Sequence, residues 1–162
     1  KGMTYLIKAL KLLPQQNNDF IIATFGQPDK KLISAIPFPV ISLGVLQENE
    51  MNKAYSLADV FVLPSLADNL PNTMLEALSC NIPVVAFNIG GVPDVIQHRQ
   101  NGYLAPCKDE KELKNGIMWA YYRCINDNCN NEICRSTILS RYTLSHQAEK
   151  YITLYQQLLS KC

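Results

Sequence analysis

Short apolar runs alternate with amphipathic stretches along most of this chain. Met3 to Leu13 puts Leu6, Ile7, Leu10 and Leu13 at helical spacing, with Lys8 and Lys11 between them, and Pro14 marks the stop. After the polar QQNND, the run Phe20–Phe25 (FIIATF), ended by Gly26 and Pro28, reads as a buried strand. Residues 29–36 are ambiguous, with room for one helical turn before Pro37. Val40–Leu43 is a short strand ended by Gly44. Glu48–Ala58 reads as a helix with Met51, Ala54, Tyr55 and Ala58 on one face.

Val60–Leu63 predicts the next strand, Asn72–Cys80 a helix, Val84–Phe87 a strand, Pro93–Gln97 a helical turn and Tyr103–Ala105 a last short strand after the Asn101–Gly102 turn. The character then changes. Asp109 is placed to cap a helix with Glu112 three residues on, and Leu113, Ile117 and Ala120 continue its face. A polar break at Asn126–Asn131 leads to a helix near Glu132–Arg141 and another from about Ser145 to Leu159. Strands that are apolar throughout imply a parallel sheet covered on both faces. The expected fold is α/β, a doubly wound parallel sheet over residues 1–106 with additional C-terminal helices over 107–162.

Composition narrows the function classes. The chain has 162 residues, 48% hydrophobic and 18% charged, with a net charge of +1, which describes one ordinary globular domain. No basic run suggests nucleic acid, and no stretch has the roughly 18 consecutive apolar residues of a membrane span. The opening KGMTYL lacks a signal-peptide core and a starting methionine, so a longer parent chain is expected. Cys80, Cys107, Cys124, Cys129, Cys134 and Cys162 form no C-x-x-C pair, and His98 and His146 add no ligand spacing. Reduced thiols in a cytoplasmic protein and no metal site are expected.

Candidate chemistry gathers in Ala58–Gly91. Ligands of open α/β sheets bind outside the carboxyl ends of the strands. Here a loop containing Asp68 precedes a helix start, and Glu76 lies one turn inside that helix. The unpaired amides of such a helix start favour anions, phosphate above all, while Glu76 would face ligand hydroxyls as an acceptor. Spacing alone also allows a plainer reading, in which Asp68 or Asn69 caps a turn and Glu76 is a solvated helix residue.

The wording of the stretch adds to this. ADVFVLPS, then an acid, seven residues and Glu76, then EALSCNIPVVAFNIGGVPDVI and NGYL resemble the donor-binding, C-terminal domain of GT-B glycosyltransferases. More narrowly they are similar to the retaining family four (glycosyl transferases group 1). The resemblance runs from Lys1 to about Ala105 and is looser through the C-terminal helices. It implies a Rossmann-like domain in which the E-x7-E motif falls on Asp68 and Glu76. Glu76 then matches the residue that binds the ribose hydroxyls, and Asp68 the one facing the transferred sugar. Asp68 departs from the family's glutamate by one methylene. The family's G-F-G-like turn is replaced by Asn69–Leu70–Pro71–Asn72, where Pro71 has no N–H to offer. The amides of Asn72 and Thr73 remain.

Lys1–Gly2 resembles the end of the G-R-x-x-x-x-K-G motif, so Lys1 would be the phosphate-clamping lysine. Read without the resemblance, Lys1 is an exposed charge. Leu43–Gly44–Val45 matches the backbone segment that meets the nucleobase edge, while Gly90–Gly91 reads as a tight strand-to-helix connection. The implied partners are a UDP- or GDP-linked sugar and a glycan or lipid-linked acceptor, the latter held by an N-terminal domain outside this chain. No cofactor is expected, a metal-independent reaction is implied, and bacterial capsule, exopolysaccharide or lipopolysaccharide synthesis is the setting. The longer protein is expected in the cytoplasm, with peripheral contact at the inner face of the membrane, and the fragment alone is expected to be inactive. Two other classes stay open: a doubly wound binding module without catalysis, supported by Asp68 and Pro71, and a GT-B sugar-nucleotide epimerase using His98.

Overall fold

The computed structural model describes residues 2–14, 20–27, 29–126 and 132–160. Its elements follow in chain order: α1 (Met3–Lys11), β1 (Ile22–Thr24), α2 (Lys30–Ile33), β2 (Val40–Ser42), α3 (Glu48–Ser56), β3 (Phe61–Leu63) and α4 (Asn72–Ser79). After these come β4 (Val84–Phe87), α5 (Val92–Val95), β5 (Gly102–Ala105), α6 (Glu110–Ile125), α7 (Glu132–Arg141) and α8 (Leu144–Leu159).

Every ladder is parallel. β3, β4 and β5 form one sheet, with Phe61 opposite Val84 and Val84 opposite Gly102. β1 and β2 form a second, with Ile22 opposite Val40. The expected α/β class and parallel strands are present, but the hydrogen bonding falls into two sheets and not one continuous layer. Aromatic rings bridge the division: Phe25 stacks on Phe61 at 6.2 Å, and both meet Tyr55 edge-on.

β4 is the spine of the core. All four of its residues are buried, and the period-two alternation of a strand sends them to different cores. Val85 and Phe87 join α1 and α6 in one, through Leu6, Leu10, Leu113 and Ile117. Val84 and Ala86 join α4 and α7 in the other, through Met74, Leu78, Cys134 and Ile138. Helices therefore cover both faces, as continuous apolar strands require.

Two expectations need correction, and one helix stands apart from both cores. Phe20–Phe25 reads as a buried strand, yet only Ile22–Thr24 is strand, and Ile21 is 65% exposed. The cause is one-sided cover: Ile22 and Val40 face the first core, while Ala23 and its partner Ile41 face outward. The Asp109–Glu112 capping box is half made. Asp109 accepts from the amides of Lys111 and Glu112 at 3.0 and 2.9 Å, but the Glu112 carboxylate turns to the Tyr103 hydroxyl and the Asn115 amide. Finally, α8 buries no residue. Its stripe of Tyr151, Leu154, Tyr155 and Leu158 stays about half exposed. Among the described residues no helix is long and apolar enough to cross a membrane.

Candidate functional site

The predicted residues among those described lie in the loops that leave the carboxyl ends of β2, β3 and β4, or on α4 directly after the second of them. In the first of these, Leu43 donates its N–H to Thr24 O at 2.8 Å, and Gly44 O accepts from Gly26 N at 2.6 Å. These bonds pin the corner, where Gly44 takes a φ of +69°. Val45 is 66% exposed, and among the described residues its N–H and C=O carry no hydrogen bond.

Asp68, Asn69 and Leu70 are exposed in the second loop. Pro71 occupies the N-cap position of α4, and no side chain caps that helix. Capping by Asp68 or Asn69, the plainer reading of these residues, is thus not what happens. Proline at the cap leaves the amides of Asn72 and Thr73 without partners among the described residues. Helix starts carry unsatisfied N–H groups and the positive end of the helix dipole, and here this start follows directly on the loop that holds Asp68.

Glu76 lies roughly 6 Å along the helix from Asn72, at a rise of about 1.5 Å per residue. Its side chain is exposed, but it is not merely solvated. The Tyr55 hydroxyl donates to Glu76 Oε2 at 3.0 Å. Tyr55 comes from α3 and is only 2% exposed, held between Phe25 and Phe61. Burial, reinforced by the neighbouring Glu76 carboxylate, holds the Tyr55 hydroxyl above the usual tyrosine range, so it remains a donor. Because Phe25 adjoins Gly26, the Gly26–Gly44 corner and Glu76 share Tyr55 as a common support.

The third loop carries Gly90 and Gly91, which lock onto the second. Gly91 donates to Asn69 O at 2.6 Å. Gly90 takes a φ of +47°, and a Cβ there would collide with the Asp68 carbonyl oxygen. The pair serves a tight connection, as read from the sequence, and also buttresses the neighbouring loop.

Gly2 is buried where α1 begins, against Pro64 and Leu66 beyond the end of β3. Lys1 lies outside the described residues. His98, which an epimerase reading needs, sits before the amino end of β5. There it bridges to Gly102, accepts from Leu104 N through Nδ1 and packs its ring at a tilt against Tyr103. That is the opposite end of the sheet from Asp68 and Glu76. A wide concavity of about 830 Å³ between α6 and α7, lined by Arg99, Trp119, Arg123 and Ser136, contains none of the predicted residues. Among the described residues, no group of three or more His, Cys, Asp or Glu is placed to hold a metal ion.

The domain carries an uncapped helix start and an adjacent carboxylate at its carboxyl-end crevice, and its parallel α/β fold is shared with solved glycosyltransferase structures. The chain belongs to the family Glycosyl transferases group 1, whose model matches residues 1–122. It is 26% identical over 167 residues to an uncharacterized glycosyltransferase of Methanocaldococcus jannaschii, with 96% of this chain and 42% of that protein aligned. It is 29% identical to the amylovoran biosynthesis glycosyltransferase of Erwinia amylovora, over 70% of this chain and 31% of that one. Among solved structures it superposes with a TM-score of 0.78 on an S. aureus TarM mutant in complex with fondaparinux, alpha-GlcNAc-glycerol and UDP. That match has 21% identity and covers 94% of this chain and 32% of TarM. This chain therefore spans less than half the length of these relatives.

Proposed function

We propose that this chain is the donor-binding part of a retaining glycosyltransferase. It would serve the transfer of a sugar from a UDP- or GDP-linked donor to a glycan or lipid-linked acceptor in bacterial surface-polysaccharide or glycolipid synthesis. The observation that carries the reading is the uncapped start of α4, with Asn72 and Thr73 amides free for a phosphate, one turn from a carboxylate held in place by Tyr55. Such an arrangement suits a nucleotide, anionic at one end and rich in hydroxyls at the other. Glu76 accepts from the ribose hydroxyls, Asp68 faces the transferred sugar, and backbone groups of Leu43, Gly44 and Val45 meet the base. Asn69 and Leu70 wall the sugar side.

Transfer builds negative charge on the leaving diphosphate. Lys1 and the Asn72 and Thr73 amides are the groups of this chain that would stabilise it, without a metal, and each preorganised donor of this kind is worth about 2–4 kcal/mol of barrier. The acceptor hydroxyl would attack on the face the diphosphate leaves, assisted by a donor phosphate oxygen.

The acceptor site belongs to an N-terminal domain outside this chain, and the half-exposed stripe of α8 is the surface offered to it. Residues upstream of Lys1 would also add a parallel strand between β1 and β3. β1 pairs only with β2, and β3 only with β4, among the described residues. The complete protein would work in the cytoplasm at the inner membrane face.

Titration calorimetry with uridine and guanosine diphosphates tests the reading. One of them is expected to bind, with affinity falling at least tenfold in Glu76→Ala. Equal affinity in wild type and variant would remove Glu76 from the site, and binding of neither nucleotide would leave a ligand-free module as the better description.

A further inference from the structure

We infer that Tyr55 is a positioning residue for donor binding, acting through Glu76: its buried hydroxyl holds one carboxylate oxygen, Oε2, so that the other is presented to the ligand's hydroxyl pair. The inference rests on the donor-site reading above and goes one residue beyond it.

A glutamate on an exposed helix face samples several rotamers, and each must be frozen when a ligand binds. Glu76 escapes this. Its Oε2 accepts from Tyr55 at 3.0 Å, and Tyr55 itself has no freedom to follow a wandering carboxylate. Phe25 and Phe61 meet its ring edge-on at 5.8 and 5.4 Å, and it belongs to the core that includes Met74, Ala77 and Leu78 of α4. The anchor and the helix carrying Glu76 are thus packed as one piece. Among the described residues the Glu76 carboxylate has no hydrogen-bond partner besides Tyr55, so Oε1 is left for a ligand. A buried tyrosine also needs a partner for its O–H, and that need alone would produce the same contact. The two roles differ in what they predict for binding.

In the full-length protein, Tyr55→Phe keeps the ring and removes only the hydroxyl. The dissociation constant of the nucleoside diphosphate that the wild type binds is expected to rise 5- to 10-fold. The constant for its 2′,3′-dideoxy analogue, which has no hydroxyls for Glu76, should stay within twofold of wild type. Tyr55→Phe combined with Glu76→Ala should bind no more weakly than Glu76→Ala alone, because both changes break one unit. With the full donor, KM should rise by the same factor while kcat is kept. Glu76→Asp, which retains the charge but withdraws it by one methylene from Tyr55, covers the case in which Tyr55→Phe does not fold, and a matching loss is expected.

Equal losses for the ribose and dideoxy ligands would mean a structural role and overturn the inference. Wild-type affinity in Tyr55→Phe or in Glu76→Asp would do the same. Glu76-dependent binding that ignores Tyr55→Phe overturns the positioning role alone, whereas binding that ignores Glu76→Ala removes the donor-site reading with it.

Discussion

Gly91 donates its backbone N–H to the carbonyl oxygen of Asn69 across 2.6 Å, joining the loop after β4 to the loop after β3. Neither loop is then free to move alone, and Asp68 and Asn69 take their backbone positions from Gly90 and Gly91.

Replacing Gly90 by alanine should therefore disturb a neighbour as well as its own backbone. The residue sits at φ +47°, and its new Cβ would meet the Asp68 carbonyl. Backbone strain of this kind costs about 1–3 kcal/mol. Urea denaturation should register that loss, and donor affinity should fall as the Asp68 loop is pushed aside. An unchanged midpoint would show that the two loops are not in contact in solution.

Asp68→Ala separates the sugar from the nucleotide. The variant should lose several-fold more affinity for an intact nucleotide sugar than for the bare diphosphate, measured side by side by calorimetry. Equal losses would place Asp68 outside the sugar pocket.

Asn101 offers a stability test far from the ligand loops. It is fully buried, and its Nδ2 donates to Val95 O at 3.0 Å and Thr137 Oγ1 at 3.3 Å, while Oδ1 accepts from Gln97 N at 2.8 Å. Alanine there abandons these groups together, a loss of about 2–3 kcal/mol. Chemical denaturation should show it, with nucleoside diphosphate affinity unchanged. A fall in affinity at constant stability would contradict the assignment.

Cys134 sets a pH dependence. Burial pushes its thiol up to about 11 from the usual 9.0, against the pull of nearby Arg123 the other way. The folded state holds this proton more tightly than the unfolded chain, so its contribution is complete below pH 9 and is lost as pH rises toward 11. Between those limits the wild type should lose on the order of 2 kcal/mol relative to Cys134→Ala. Denaturation midpoints of the two proteins across that range would decide it, and parallel profiles would contradict it.

Local signals carried much of the fold. VVAF reads as a strand fully covered on both sides and is one, and Pro71 followed by Asn72 marks the start of α4 to the residue. What local signals miss is contact at a distance. Nothing in FIIATF says that only one of its faces has a helix to meet. The Asn101–Gly102 pair reads as a turn and is one, but nothing local says that Asn101 is a buried hub with α7 closed over it. Glu112 reads as the second half of a capping box, but the Tyr103 hydroxyl, on β5, takes its carboxylate. The site shows the same limit. Asp68, Glu76 and the α4 start are visible as spacing, whereas Tyr55 reads only as one more apolar position on its helix. The signal was there in principle: a tyrosine on a core-facing stripe must find an acceptor, and Glu76 is the acidic residue nearest the fold's crevice on the helix that follows.

The division of labour along β4 has an evolutionary consequence. At its amino end stands Asn101, tying β5 to α7 through buried hydrogen bonds. At its carboxyl end lie the loops that expose Asp68, Asn69 and Leu70, while Leu66 and Ile89 of the same loops pack against the cores. Mutations at Asp68, Asn69 and Leu70 can therefore accumulate at almost no cost in folding, so long as the glycine clamp keeps their backbone in place. The fold thus leaves these three surface side chains free to vary while their backbone stays fixed.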